Sequence, residues 1–161
     1  MPGVVARHAA SLLLVVAAIA AVVTPARAGW FGTMFAGDAP ALGSRNGALQ
    51  PCPDKPNCVL SQATDSAHAI APFRYDDERG VAMTRLATAM RAEGAKIVMQ
   101  RDDYLRAEFT SRIMGFVDDV EFALDAQAHR IDVRSASRLG YSDLGVNRAR
   151  VEKLRARFAV P

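Results

Sequence analysis

The chain has 161 residues, of which 50% are hydrophobic and 23% are charged, and its formal net charge at pH 7 is +3. This is the composition of an ordinary globular protein with a single core, so one folded domain is expected. A charge this small gives no support for nucleic-acid binding, and no nucleic-acid partner is expected.

The first 28 residues have the pattern of a signal peptide. Arg7 precedes a run rich in alanine, leucine and valine, residues 9–23, and the segment from Thr24 to Ala28 ends in a small-x-small cleavage site. We expect cleavage after Ala28 and export to the periplasm or the outside of the cell. The run is shorter than the roughly 20 apolar residues that span a bilayer, which favours cleavage over the alternative of a retained anchor. No span is expected in the mature chain.

The two cysteines lie close together in a proline-rich segment, residues 51–58. In an oxidising compartment Cys52 and Cys58 are expected to form a disulfide that staples this loop. A zinc site would need further ligands, and the nearest one, His68, stands alone, so neither a metal nor another cofactor is expected. Residues 29–50 are interpreted as a glycine-rich linker or arm, and residues 51–161 as a single α+β domain.

The domain is predicted to begin with a helix and to continue as strands. Asp76 to Glu78 put negative charge at a helix start, apolar residues recur at helical spacing from Met83 to Met90, and Gly94 marks the end. Alternating runs then predict four strands, whose short connections are typical of antiparallel neighbours. The runs are Ala95 to Gln100, Tyr104 to Arg112, Phe116 to Leu124 and His129 to Arg138.

The last segment predicts a second helix, in which Val151, Leu154 and Phe158 form the buried stripe. The predicted fold class is therefore α+β: a four-stranded antiparallel meander sheet with two helices packed on one face, preceded by the disulfide-stapled Pro-rich loop. Alternation predicts that Ile97 and Met99, with the apolar positions of the other strands, face the helices. The charged positions are expected to face solvent.

The candidate ligand site lies at one end of this sheet. The predicted register sets Val120 opposite Phe109 and Val133. Asp118 then lies between two serines, Ser111 and Ser135, on the face that the helices bury. The loop that follows brings further hydroxyls and arginines over the same end, near a helix N-terminus, which favours anions. The candidate ligand-binding residues are Ser111, Asp118, Ser135, Ser137, Arg138, Tyr141, Asp143, Asn147 and Arg148.

Three acidic residues are predicted side by side on the opposite face, where directly opposed like charges lower stability. They are Glu108, Glu121 and Asp132. Interleaved arginines can neutralise them diagonally, and a bound cation such as calcium is the alternative. These arginines are Arg106, Arg130 and Arg134.

Three motifs, in this order along the chain, resemble one bacterial family. They are Pro51-Cys52-Pro53 with Pro56-Asn57-Cys58, the run from Gly115 to Phe122, and Arg134 to Arg138 running into Gly140 to Arg148. Together they are similar to the uncharacterised family known as domain of unknown function 1499, over roughly Leu49 to Phe158. The resemblance implies a shared domain, and it does not assign an activity to this chain.

The preferred hypothesis is an exported, non-catalytic domain that binds a small anion, an envelope component or a partner protein at the end of the sheet that carries Asp118, Arg138 and Arg148. One alternative is a hydrolase-like enzyme with Asp118 as its acid/base residue. Another is a structural or interaction module that uses the charged sheet face. In a purely structural explanation, Asp118 anchors the loop 139–145 and Asp143 caps the second helix.

Overall fold

A computed structural model of the protein describes residues 35–160. The signal peptide, residues 1–28, and the first part of the arm, residues 29–34, lie outside the described residues, and both assignments stay predictions. Within residues 35–160, no helix is long and apolar enough to cross a membrane.

Six strands and two helices follow one another in the order ββαββββα. The elements are β1 (Cys58–Leu60), β2 (Phe73–Arg74), α1 (Arg79–Ala92), β3 (Lys96–Gln100), β4 (Tyr104–Thr110), β5 (Val117–Asp125), β6 (Arg130–Ser137) and α2 (Val146–Phe158). Both helices and the four longer strands lie where the sequence predicts them.

Helix α1 begins and ends at residues suited to these positions. The carboxylate of Glu78 accepts hydrogen bonds from the backbone N–H groups of Gly80 and Val81, which satisfies two donors that a helix start leaves open. At the other end Gly94 has a φ of +85°, the left-handed conformation that ends helices and that glycine adopts most easily. The chain then enters β3 directly.

Strands β3 to β6 form the predicted antiparallel meander, but the sheet has six strands rather than four. Its order is β1-β6-β5-β4-β3, and β2 also pairs with β6. Both β1 and β2 run antiparallel to β6 along its outer edge. They are three and two residues long, too short for an alternating pattern to identify them in the sequence.

Both helices pack on one face of the sheet and bury the main core with it, as predicted. Leu86 of α1 and Leu154 of α2 belong to this core. Phe73 meets the rings of Phe122 and Phe158 nearly edge-on, with centroids 5.3 and 5.6 Å apart, a favourable geometry for aromatic pairs. This layer defines the helix-covered face of the sheet.

The second face of the sheet is covered as well, which corrects the expectation of a charged face in solvent. Residues 35–50, the described part of the arm, contribute Leu49 to a small second core. The buried members of that core are Leu49, Leu60, Tyr104 and Ala123. Charged side chains of this face are consequently buried: Asp119, Glu121, Asp132 and Arg134. Alternation shows which side of a strand a residue faces, but not what covers that side.

Met99 lies on the face opposite to the one predicted. The pairing of β3 with β4 shifts between Ile97, which stands opposite Ala107, and Met99, which stands opposite Arg106. Such a β-bulge inserts one residue and reverses the facing of the residues that follow. Ile97 packs against the main core as predicted, whereas Met99 shares a face with Arg106 and is exposed.

Cys52 and Cys58 form the predicted disulfide, with their Cα atoms 5.7 Å apart. Closing a loop of this length contributes about 2 kcal/mol on the chain-entropy model. Since Cys58 is the first residue of β1, the bond ties the proline-rich loop to the edge of the sheet.

Candidate functional site

The register around Asp118 differs from the predicted one by two residues. The prediction sets Asp118 between Ser111 and Ser135. In the sheet it stands between Phe109 and Ser137. Because side chains alternate with a period of two, a shift of two residues moves each side chain along the strand and leaves it on the same face. Asp118 therefore faces the helices in both registers.

The carboxylate of Asp118 is held by an arginine of α2 that the sequence prediction missed. Arg150 Nη2 donates to Asp118 Oδ2 at 2.5 Å, and the guanidinium lies 4.8 Å from the centroid of the Phe109 ring. This largely buried ion pair, stacked on an aromatic ring, fastens α2 to the sheet. Arg150 follows Asn147 by three residues, so both lie on one face of the helix. That spacing places Arg150 beside Asn147, but it does not indicate Asp118 as the partner of Arg150.

Asn147 is fully buried and forms the centre of a closed group of polar side chains. Its Nδ2 lies 3.0 Å from the carbonyl oxygen of Asn57 and 2.7 Å from Asp143 Oδ2. Its Oδ1 accepts hydrogen bonds from Ser135 Oγ at 2.5 Å and from Arg150 Nη1 at 2.7 Å. The polar cluster, as it is termed below, consists of Asp118, Ser135, Ser137, Asp143, Asn147 and Arg150.

Asp143 caps the start of α2 within this cluster. Its carboxylate accepts the backbone N–H of Gly145 at 3.0 Å and that of Asn147 at 2.7 Å, and negative charge is favourable at a helix N-terminus. Asn57, next to the disulfide, donates to the carbonyl of Gly140 at 3.0 Å. The polar cluster thus joins the proline-rich loop, β6 and α2, and this geometry supports the structural explanation of these residues.

Four of the predicted site residues lie outside the polar cluster. The hydroxyl of Ser111 accepts a backbone N–H within its own hairpin, and Arg148 donates to two backbone carbonyls of the segment before β2. Tyr141 is 71% exposed. Arg138 lies on the second face of the sheet, with the sheet between it and Asp118, so the two do not line a common pocket.

Arg138 belongs to a buried ion network beneath the arm. Glu108 and Asp119 stand directly opposite each other on β4 and β5, and Arg138 bridges them, with Nε 2.7 Å from Asp119 and Nη2 2.5 Å from Glu108. Arg106 also donates to Asp119, at 2.8 Å. The side chains of Arg138 and Asp119 are 7% and 1% exposed. Two carboxylates that stand opposite each other repel, and the guanidinium of Arg138 between them offsets this repulsion.

Glu121 occupies a second buried acidic position on this face. Tyr104 Oη donates to it at 2.6 Å, and Arg134 Nη1 lies 3.5 Å away. Burial nevertheless raises the pKa of Glu121 above its ordinary value. The predicted row of three acids is wrong, because arginines stand opposite Glu121 on both neighbouring strands. Among the described residues, no group of three or more acidic, histidine or cysteine side chains is arranged to hold a metal ion.

The ion network should make stability sensitive to acid. Burial alone raises the pKa of Asp119, but hydrogen bonds from Arg138 and Arg106 more than offset this, so the net pKa is lowered. As pH falls below about 4, the carboxyl of residue 119 is protonated first in the unfolded chain. The stability that Asp119 contributes is then lost as pH falls through its lower pKa in the folded protein. We expect the free energy of unfolding of the wild type to converge on that of Asp119→Asn as pH falls below about 4. Urea denaturation at several pH values measures this, and a constant difference contradicts it.

Two loops present apolar side chains at the end of the sheet next to the polar cluster. They are the β4–β5 hairpin, residues 111–116, and the segment from β6 into α2, residues 139–146, together termed the loop end. They lie at the same end because β5 pairs antiparallel with both β4 and β6. Ile113 and Leu144 are 93% and 94% exposed, far more than aliphatic side chains usually are.

Leu144 also has an unusual backbone conformation. Its φ is +55°, in the left-handed region that branched side chains seldom adopt and that favours glycine or asparagine. With its side chain in solvent, Leu144 gains no packing within the domain that would offset this conformation.

A family model described as "Protein of unknown function (DUF1499)" matches residues 48–158, which is more than half of the chain. The matched part contains every helix and strand from β1 to α2 and the whole polar cluster. The resemblance carried by the three sequence motifs is thereby confirmed. A search of curated proteins finds no match to the chain.

Proposed function

This chain belongs to the DUF1499 family of proteins of unknown function, and from the geometry of its own site we propose that it is an exported, non-catalytic domain that binds an envelope component or a partner protein through the loop end. One contrast carries the proposal. The hydrogen-bonding groups of the polar cluster are occupied by contacts within the protein, while the loops beside it hold apolar side chains in solvent. Exposed apolar groups that gather in one place often mark an interaction site. The disulfide and the predicted signal peptide support export.

The arginines expected to bind a small anion are engaged within the domain. Arg138 contacts two carboxylates, and Arg148 donates to backbone carbonyls. Arg150, which was not among the predicted residues, holds Asp118. A small anion would have to displace these partners. Apolar contacts at the loop end need no such exchange, so they support a larger partner better than a free anion.

The two alternative functions have less support. Asp118, the candidate acid/base residue, is largely buried and accepts a charged hydrogen bond from Arg150, whereas an acid/base residue must reach its substrate. A module that uses the charged sheet face would need that face to be exposed, but the arm covers it.

Site-specific cross-linking tests the proposal. A photoreactive amino acid at Leu144, in cells that export the protein, should form cross-links to envelope protein or lipid, whereas the same amino acid at Val81 should not. Val81 is a matched control, since it is an exposed apolar residue in the first turn of α1. That turn lies beside the β3–β4 connection, at the other end of the sheet. Equal cross-linking from both positions, or none from either, would contradict the proposal.

A further inference from the structure

We propose that the partner of the loop end is a phospholipid bilayer, into whose interface Ile113, Tyr141 and Leu144 insert. This inference rests on the proposed function and names its partner. It is supported by three independent observations: the charge of the loop end, the conformation of Leu144, and the place where the preceding chain joins the domain.

The loop end carries little charge. Its charged residues are Arg112 and Asp143, and the carboxylate of Asp143 is occupied by the N-terminus of α2. Protein interfaces usually surround an apolar centre with a polar rim that makes many hydrogen bonds. The two loops present aliphatic side chains, a tyrosine and one exposed arginine. This set fits a lipid interface better than a protein interface, because aliphatic groups can enter the hydrocarbon while tyrosine and arginine lie at the headgroups. Attraction by anionic lipid should therefore contribute little.

The stability of the fold does not explain a leucine at position 144. Asparagine or glycine would adopt its left-handed backbone more easily, and its side chain is 94% exposed. An unfavourable conformation that directs an apolar side chain outward is consistent with a role outside the domain. Ser142 Oγ accepts the backbone N–H of Leu144 and holds the turn in this form.

The preceding chain joins the domain at the loop end. The ring of Phe35 lies 5.6 Å from that of Phe116, and Gly37 lies so close to Leu139 that a Cβ at position 37 would come within 3.0 Å of it. The sequence just before Phe35 contains Trp30, Phe31 and Met34, which follow the apolar run 9–23. Tryptophan and phenylalanine suit a membrane interface, so the same end of the domain faces the bilayer whether the leader is cleaved or retained.

Fluorescence quenching by brominated lipid tests the orientation directly. Trp30 is the only tryptophan, so Trp30→Phe gives a background in which Leu144→Trp or Val81→Trp supplies a single reporter in the whole chain. With vesicles of brominated phosphatidylcholine, we expect strong quenching at position 144 and little at position 81. Both proteins carry the same N-terminal segment, so attachment through that segment is equal in the two, and the quenching reports which position contacts the lipid. Added salt should leave the quenching unchanged.

A second variant tests the energetics without disturbing the fold. Leu144→Asn should keep or raise the thermal stability, since asparagine tolerates the left-handed conformation. It should also lower the partition coefficient onto phosphatidylcholine vesicles about tenfold, which corresponds to about 1.4 kcal/mol. The matched control is Val81→Asn, with an unchanged partition coefficient.

The outcomes separate this inference from the proposed function. Equal quenching at positions 144 and 81, or no quenching at either, overturns the lipid inference. If cross-links from position 144 then reach only protein, the proposed function stands with a protein partner. If that position gives no cross-links either, both proposals fail.

Discussion

Arg138→Ala is expected to lower the free energy of unfolding by about 3 kcal/mol, because it removes the guanidinium shared by the buried carboxylate of Asp119 and the partly exposed carboxylate of Glu108. Glu108 and Asp119 remain directly opposed on neighbouring strands. Arg106 still contacts Asp119, but it neutralises only this carboxylate, and only in part. The side chain of Asp119 is only 1% exposed, so water can do little to solvate the charge that loses Arg138. Urea denaturation at pH 7 measures the loss.

Arg112→Ala is the matched control for this variant. Arg112 is exposed in the β4–β5 hairpin, so its removal should change stability by no more than about 0.5 kcal/mol. Combining Arg138→Ala with Asp119→Asn should cost less than the sum of the single changes, because both act on one contact. A loss for Arg138→Ala no larger than that of the control would contradict the buried ion network.

Asn147→Ala is expected to lower the free energy of unfolding by about 3 kcal/mol, because buried polar groups lose their partners. The carbonyl of Asn57 and the hydroxyl of Ser135 both bond to the Asn147 amide, and alanine offers neither a donor nor an acceptor. Since Asn147 also links Asp143 to the sheet, the backbone amides of residues 139–146 should exchange hydrogen faster than in the wild type. Urea denaturation and hydrogen exchange measure the two effects.

Gln127→Ala serves as the control for Asn147→Ala. Gln127 is exposed in the turn between β5 and β6, so the substitution should leave both stability and exchange in residues 139–146 nearly unchanged. If Asn147→Ala behaves like this control, the polar cluster does not anchor the loop. A role for its side chains toward a ligand would then be the better explanation.

Local patterns in the sequence identify most of the elements of this fold. Helical spacing of apolar residues locates α1 and α2, alternation locates β3 to β6, and two cysteines in a proline-rich loop identify the disulfide. The position of Asp118 on the helix-covered face follows from the same alternation. Each of these features depends on residues close together in the chain, whose periodicity appears directly in the sequence.

Contacts between distant segments account for the features that the sequence did not predict. Register is one of them, because sliding two strands by two residues leaves every side chain on its predicted face. The partnership of Arg150 with Asp118 and the pairing of β1 with β6 join segments far apart in the chain. A local pattern carries no information about such partners.

Local periodicity was enough to establish the α+β class, the order of the main elements and the faces of most strand residues. Long-range packing established that the arm covers the charged face, that the polar cluster is closed, and that Ile113 and Leu144 share one exposed end. Whether a residue is buried depends on what packs against it. For this protein the covering segment lies many residues away from the strands that it covers.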